Sequence, residues 1–182
     1  FGITKASWKV RDDVHRPLLE IYQGCRHRAI TRDANYALDN GQRLGFIASS
    51  DHLATSHSYA YVWTPDRSRE SIFRAMQARR TFGATAKIQL LVTAGETVMG
   101  ESLTATSVPP INIHAAAAAP IAMINVIIDG KVSESLNCDG KTQTDLTFNA
   151  PELSPGTHYL DVELHPRDGH RALCSPIWID IE

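Results

Sequence analysis

Four turn pairs in the second half of the chain, Asp129-Gly130, Asp139-Gly140, Pro155-Gly156 and Asp168-Gly169, restrict the fold more than any other feature. Gly reaches left-handed backbone without penalty and Asp tolerates it, so each pair marks a place where the chain reverses. Around them lie KIQLLVTA, NIHA, AMINVIIDG, TDLTFNA, THYLDVEL and CSPIWIDI, which carry the β-branched and aromatic residues. Short strands at this spacing predict an immunoglobulin-like β-sandwich over 89–182.

The first half, 1–88, has a different pattern. Leu18 to Gln23 (LLEIYQ) is a short apolar run closed by Gly24, which suits a buried strand. Asp33 can cap the helix ANYALDN, where Ala34, Ala37 and Leu38 share a face and Gly41 supplies the left-handed stop. Leu44 to Ala48 reads as a second strand and Tyr59 to Trp63 as a third. Pro65 and Ser68 then open a helix with Ile72, Phe73 and Met76 on its buried stripe, and Arg79 and Arg80 favour its C-terminal end. Strands alternating with helices predict an α/β layer or barrel of parallel strands, with any ligand at the C-terminal strand ends.

Composition excludes several partners. With 18 Lys plus Arg against 20 Asp plus Glu, the net charge of −2 creates no field to attract nucleic acid or an anionic membrane. No run approaches the roughly 20 apolar residues of a membrane span. The chain opens on Phe1 without a basic start or apolar stretch, so a fragment or processed product is expected. Cys25, Cys138 and Cys174 show no paired spacing for zinc or dithiol chemistry. Cys138 and Cys174 read as buried free thiols, with a Cys138–Cys174 disulfide the alternative if the sandwich is secreted.

The segment Gly45 to His57, GFIASSDHLATSH, carries the main chemical candidate. A carboxylate and an imidazole at a strand end can hold a divalent ion whose bound water becomes nucleophilic near neutral pH. Asp51 and His52 offer those groups, and a turn could return His57 beside them. The same pair could equally be a turn cap and a solvated histidine. Arg26 and Arg28 follow the first strand and could meet a phosphate or carboxylate as bidentate donors, or line a solvated turn. Between them and the strand, Cys25 in a basic stretch is a conceivable nucleophile. Glu20 is either a support for such a site or an outward residue of its strand. His158, His165 and His170 read as surface residues.

PLLEIYQGCR, RLGFIASSDHLATSHSYAYVWT, SRESIFRAMQARRTFGAT and the closing HYLDVELHPRDGHRALCSPIWI resemble the C-terminal portion of PHP-domain proteins, in a branch whose barrel is followed by a β-sandwich. The resemblance implies part of a distorted (β/α)7 barrel at residues 1–88 and export from the cytoplasm. It also implies two or three divalent metals (zinc, manganese or iron) and hydrolysis of a small phosphoester. It places Asp51 and either His52 or His57 on a late metal motif, although the usual motif separates Asp and His by one residue. The superfamily's opening HxDxH-like motif has no counterpart here. The parent would then be a metal-dependent phosphoesterase and this chain alone inactive, dependent on a missing N-terminal barrel segment or on self-association. The alternative is a non-catalytic binding or assembly module, with the barrel degenerate.

Overall fold

The computed structural model describes residues 12–24, 31–50 and 57–182, with the backbone alone for residues 31–33. The described chain begins with β1 (Leu18–Gln23), α1 (Thr31–Asp39), β2 (Gly45–Ser49), β3 (Tyr59–Val62), α2 (Arg69–Gln77) and β4 (Thr81–Ala84). It continues with β5 (Ile88–Ala94), β6 (Thr97–Val98), β7 (Ser102–Ala105), β8 (Ile111–Ala117) and β9 (Ile121–Ile128). The last strands are β10 (Lys131–Asn137), β11 (Gln143–Phe148), β12 (Gly156–Pro166), β13 (Ala172–Cys174) and β14 (Ile177–Ile181).

Two sheets face each other. The larger runs β10-β9-β12-β13-β4-β3, with β14 beside β12 and β7 beside β14; the smaller runs β11-β8-β5-β6. Alternation decides which residues lie between them. On β5, Ile88, Leu90, Val92 and Ala94 point inward and are buried, and on β12 the inward set is Leu160, Val162 and Leu164. Each such Leu, Ile or Val contributes about 1.5–3 kcal/mol by leaving water. The expected Asp-Gly turns are present: Asp129 and Gly130 have φ of 49° and 70°, and Asp139 and Gly140 have 52° and 71°. Left-handed backbone at both central residues suits a tight antiparallel hairpin, which is what joins β9 to β10.

The outer face of the large sheet is covered. β1 and β2 form a two-stranded parallel sheet, and together with α1 they lie against that face. Ile21, Tyr22, Ala34, Leu38 and Phe46 bury themselves there on Tyr159, Leu173 and Trp178, forming a second core. Covering this face explains why Tyr159 and Asp161 are buried on the same strand as Leu160 and Val162.

The expected barrel is corrected here. Among the described residues there is no ring of alternating strands and helices, and the fold is dominated by a β-sandwich. The physical reason lies in the segment β3–α2–β4. A parallel crossover carries the chain back along the strand before the next one starts, whereas the Trp63 N–H donates to the Arg80 carbonyl at 2.8 Å. The nine residues of α2 therefore span adjacent strand ends, β3 and β4 pair antiparallel, and β4 joins β13 in the large sheet. Ser68 caps α2 as expected, accepting from the Ser71 N–H at 3.2 Å. Arg79 instead leaves the helix with φ 60° and places its guanidinium 5.4 Å from the Trp178 ring centroid, and Arg80 pairs with Glu101 at 2.6 Å.

Candidate functional site

Asp51, His52, Arg26, Arg28 and Cys25 lie outside the described residues. His57 is exposed, and its backbone N–H donates to Ser50 Oγ at 3.3 Å, while Ser50 Oγ donates to the Ser58 carbonyl at 3.0 Å. Among the described residues, no three His, Cys, Asp or Glu side chains are placed to share a metal ion. Glu20 accepts a hydrogen bond from Ser49 Oγ, which ties β1 to β2.

The two edges of the small parallel sheet differ. On the β2 side, the Phe46 N–H donates to the buried Ser175 Oγ at 2.8 Å, and the backbone of Ile47 sits tightly on Gly83 of β4. That edge is closed by the sandwich. On the other side, the Gly45 N–H donates to the Pro17 carbonyl at 2.8 Å, so Pro17 and Leu19 turn their backbone groups toward β2. Alternation then directs the amides of Leu18 and Glu20 outward, and among the described residues no strand pairs with that edge.

A cleft of about 710 Å³ is lined by Leu18 and Leu19 of β1, Leu44 just before β2, Val14, and Phe73 and Met76 of α2. Val14 is 67% exposed and Phe73 57%, so the cleft presents apolar surface to water. The sequence places Phe73 on the buried stripe of its helix. In the structure, Ala75 is the buried residue of α2 and Phe73 faces the cleft.

A polar chain crosses the covered face of the large sheet. Tyr22 Oη donates to Glu163 Oε1 at 3.4 Å, His165 Nε2 lies 3.0 Å from Glu163 Oε2, and the Asn125 amide lies 3.2 Å from the same ring nitrogen. Ser135 Oγ then donates to Asn125 Oδ1 at 2.8 Å. Asp161, 2% exposed, shares the face with Glu163; burial first and the Glu163 charge second push its carboxyl well above the usual range. Burial likewise pushes the Tyr22 phenol up, with the Glu163 charge adding to it. The Tyr22–Glu163 bond ties β1 to β12, and the remaining bonds run within the large sheet.

His158 and His165 correct their surface reading. The His158 side chain is 14% exposed and bonded at both ring nitrogens, and His165 is 22% exposed within the polar chain. The alternation Tyr159, Asp161, Glu163, His165 was visible in the sequence, but a polar face opposite an apolar one reads as a solvent face until something covers it. Cys138 and Cys174 are buried free thiols.

No family model matches the chain, and no curated protein matches it. Among solved structures, a fibronectin(III)-like module structure of Clostridium thermocellum CbhA is similar at 17% identity and TM-score 0.35, over 52% of this chain and 96% of that one. CopC from Methylosinus trichosporium OB3b is similar at 20% identity and TM-score 0.34, over 50% and 93%. A lytic polysaccharide monooxygenase of Jonesia denitrificans is similar at 14% identity and TM-score 0.33, over 44% and 57%. Likeness at this level transfers no ligand or activity. With no family model behind it and no barrel in the described residues, the PHP resemblance is corrected, and with it the phosphoesterase reading. No described helix is long and apolar enough to cross a membrane. The described chain is a β-sandwich that carries a docked α/β layer with one sealed and one open edge.

Proposed function

We propose that the chain is a non-catalytic binding and assembly module, in which the sandwich holds the α/β layer so that the open edge of β1 receives a further extended segment. The carrying observation is the asymmetry of the two-stranded sheet: Ser175 and β4 seal β2, while among the described residues no strand pairs with the outer edge of β1, whose Leu18 and Leu19 line an exposed apolar cleft. A parallel sheet of two strands is a poor unit in water, because parallel strands are normally buried and flanked. A strand added at β1 satisfies the outward amides, and its side chains cover Val14 and Phe73.

A second copy of the chain meets these requirements simply. Two identical edges related by a two-fold axis run antiparallel, so β1 of each copy pairs with its counterpart in a four-stranded sheet. A segment of a longer parent chain would use the same edge. Sedimentation velocity over a concentration series tests the first case. The wild-type chain is expected to self-associate, and Phe73→Asp, which places a charge in the cleft at an exposed position, is expected to keep it monomeric with an unchanged circular dichroism spectrum. Association that is equally strong in Phe73→Asp would remove the cleft from the account.

A further inference from the structure

His158 sits where three elements meet: the β9–β10 turn, the loop before β12 and β12 itself. Its Nδ1 lies 2.7 Å from Asp129 Oδ2 and its Nε2 lies 2.9 Å from the Ser154 carbonyl oxygen. Both partners are acceptors, and a neutral imidazole has only one N–H to donate. Only the imidazolium satisfies both contacts. Asp129 is itself a junction, since its other oxygen accepts from the Tyr159 N–H at 3.0 Å. The turn it belongs to meets α1, where the Asn35 amide donates to the Gly130 carbonyl at 3.5 Å and Tyr159 Oη donates to Asp39 at 2.8 Å.

We propose that His158 is a proton-operated latch: as imidazolium it clamps the Asp129–Gly130 turn to the Ser154 carbonyl, and on losing its proton it releases one of the two contacts and loosens the seat of α1. The His158 side chain is 14% exposed and its partner Asp129 42% exposed, so the ring is the shielded member of the pair. The carboxylates near this junction are Asp129 on the turn, Asp39 on α1 and Asp161 on β12, which all act on Tyr159, and Asp180 on β14, which is bonded to Thr157. Of these, Asp129 is the one that acts on His158. Its hydrogen bond outweighs the opposing effect of burial and holds the ring's proton to higher pH than usual. Because the folded-state value is raised, the contribution is fully present below the ordinary histidine value and is lost as pH rises through the folded one. The latch is independent of whatever occupies the β1 edge.

The test is residue-resolved amide exchange, corrected for intrinsic rates, on the full chain at about pH 5.5 and about pH 8.5, spanning the ordinary histidine range. In the wild type, the amides of Tyr159 and of Ala34 to Leu38 are expected to lose roughly threefold to tenfold protection at the higher pH, the scale of one hydrogen bond. His158→Gln, which stays neutral, is expected to abolish that difference. Asp129→Asn keeps the turn and an acceptor for the Tyr159 N–H, and is expected to move the transition to lower pH. Equal wild-type protection at both pH values, or the same pH dependence in His158→Gln, overturns the latch. If His158→Gln does not fold, Asp129→Asn decides: a displaced transition supports the proposal and an undisplaced one defeats it.

Discussion

The backbone N–H of Phe46 donates to the hydroxyl of Ser175 across 2.8 Å, in a buried contact that joins residues 129 positions apart. The same hydroxyl donates to the Thr81 carbonyl at 2.7 Å and lies 3.1 Å from Thr81 Oγ1. One side chain thus fastens β2 to the sandwich at β4. Replacing Ser175 by Ala leaves the Phe46 N–H and the Thr81 hydroxyl without that partner in a site closed to water. The expected loss is about 1–3 kcal/mol, the penalty for stranding a buried polar group. Urea unfolding of Ser175→Ala, with the slope unchanged, measures it.

Gly83 makes the same junction tight. A Cβ built there would come within 2.9 Å of the Ile47 carbonyl carbon and oxygen, and these are backbone atoms that cannot swing aside. Gly83→Ala is expected to cost about 1–3 kcal/mol, as overpacking does, and to fall first on the docked layer. Amide exchange at Phe46 should accelerate more than exchange at Val162 on β12. Equal acceleration at both would mean that the layer and the sandwich open together.

Alkaline pH should act through Tyr159. Burial, followed by the hydrogen bond to Asp39, pushes its phenol well above the usual tyrosine value of 10.0. A raised folded-state value for an acid means that stability is intact below the ordinary value and falls as pH climbs above it, because the unfolded chain releases its proton first. Stability should therefore decline above about pH 10. Tyr159→Phe should cost about 1 kcal/mol at neutral pH for the lost bond and should flatten part of that alkaline decline. Thermal melts from pH 7 upward, comparing the two proteins, are the check.

Thiol chemistry gives an independent test of the core. Burial pushes the Cys138 and Cys174 thiols up, and nearby carboxylates add to it at both positions. Both are therefore neutral at pH 7.5 and should resist a thiolate-selective reagent in native protein. Peptide mapping should find both modified after full unfolding. Rapid native labelling of Cys174 would contradict its placement against Val162, whose N–H donates to its sulfur at 3.1 Å.

Much of the sandwich is legible in the residues. Alternation in KIQLLVTA and THYLDVEL identifies the inward faces, and Asp129-Gly130 and Asp168-Gly169 mark hairpins while Asp139-Gly140 turns the chain from one sheet to the other, because both signals act within a few residues. β10, LysValSerGluSerLeuAsn in sequence, is not visible that way: it is an exposed strand with little apolar alternation, recruited by its pairing with β9. β4 is missed because ThrPheGlyAla is short and its small residues reflect close approach to β2. The barrel expectation fails for a related reason. Strand and helix periods near Tyr59 to Ala84 are correct locally, but they do not say whether the next strand returns parallel or antiparallel. The polar chain from Tyr22 to Ser135 depends on which layer covers β12, a fact that no local pattern carries.

The exchange rates of the amides of β1 itself report most directly on whether its outer edge is open. In dilute solution, the Leu18 and Glu20 amides should exchange as unpaired groups while the Leu19 amide, directed at β2, stays protected. As concentration rises and the chain associates, Leu18 and Glu20 should gain protection together, and Phe73→Asp should prevent that gain. Protection of Leu18 and Glu20 at all concentrations, or association that leaves both exchanging freely, would contradict the addition of a strand at β1.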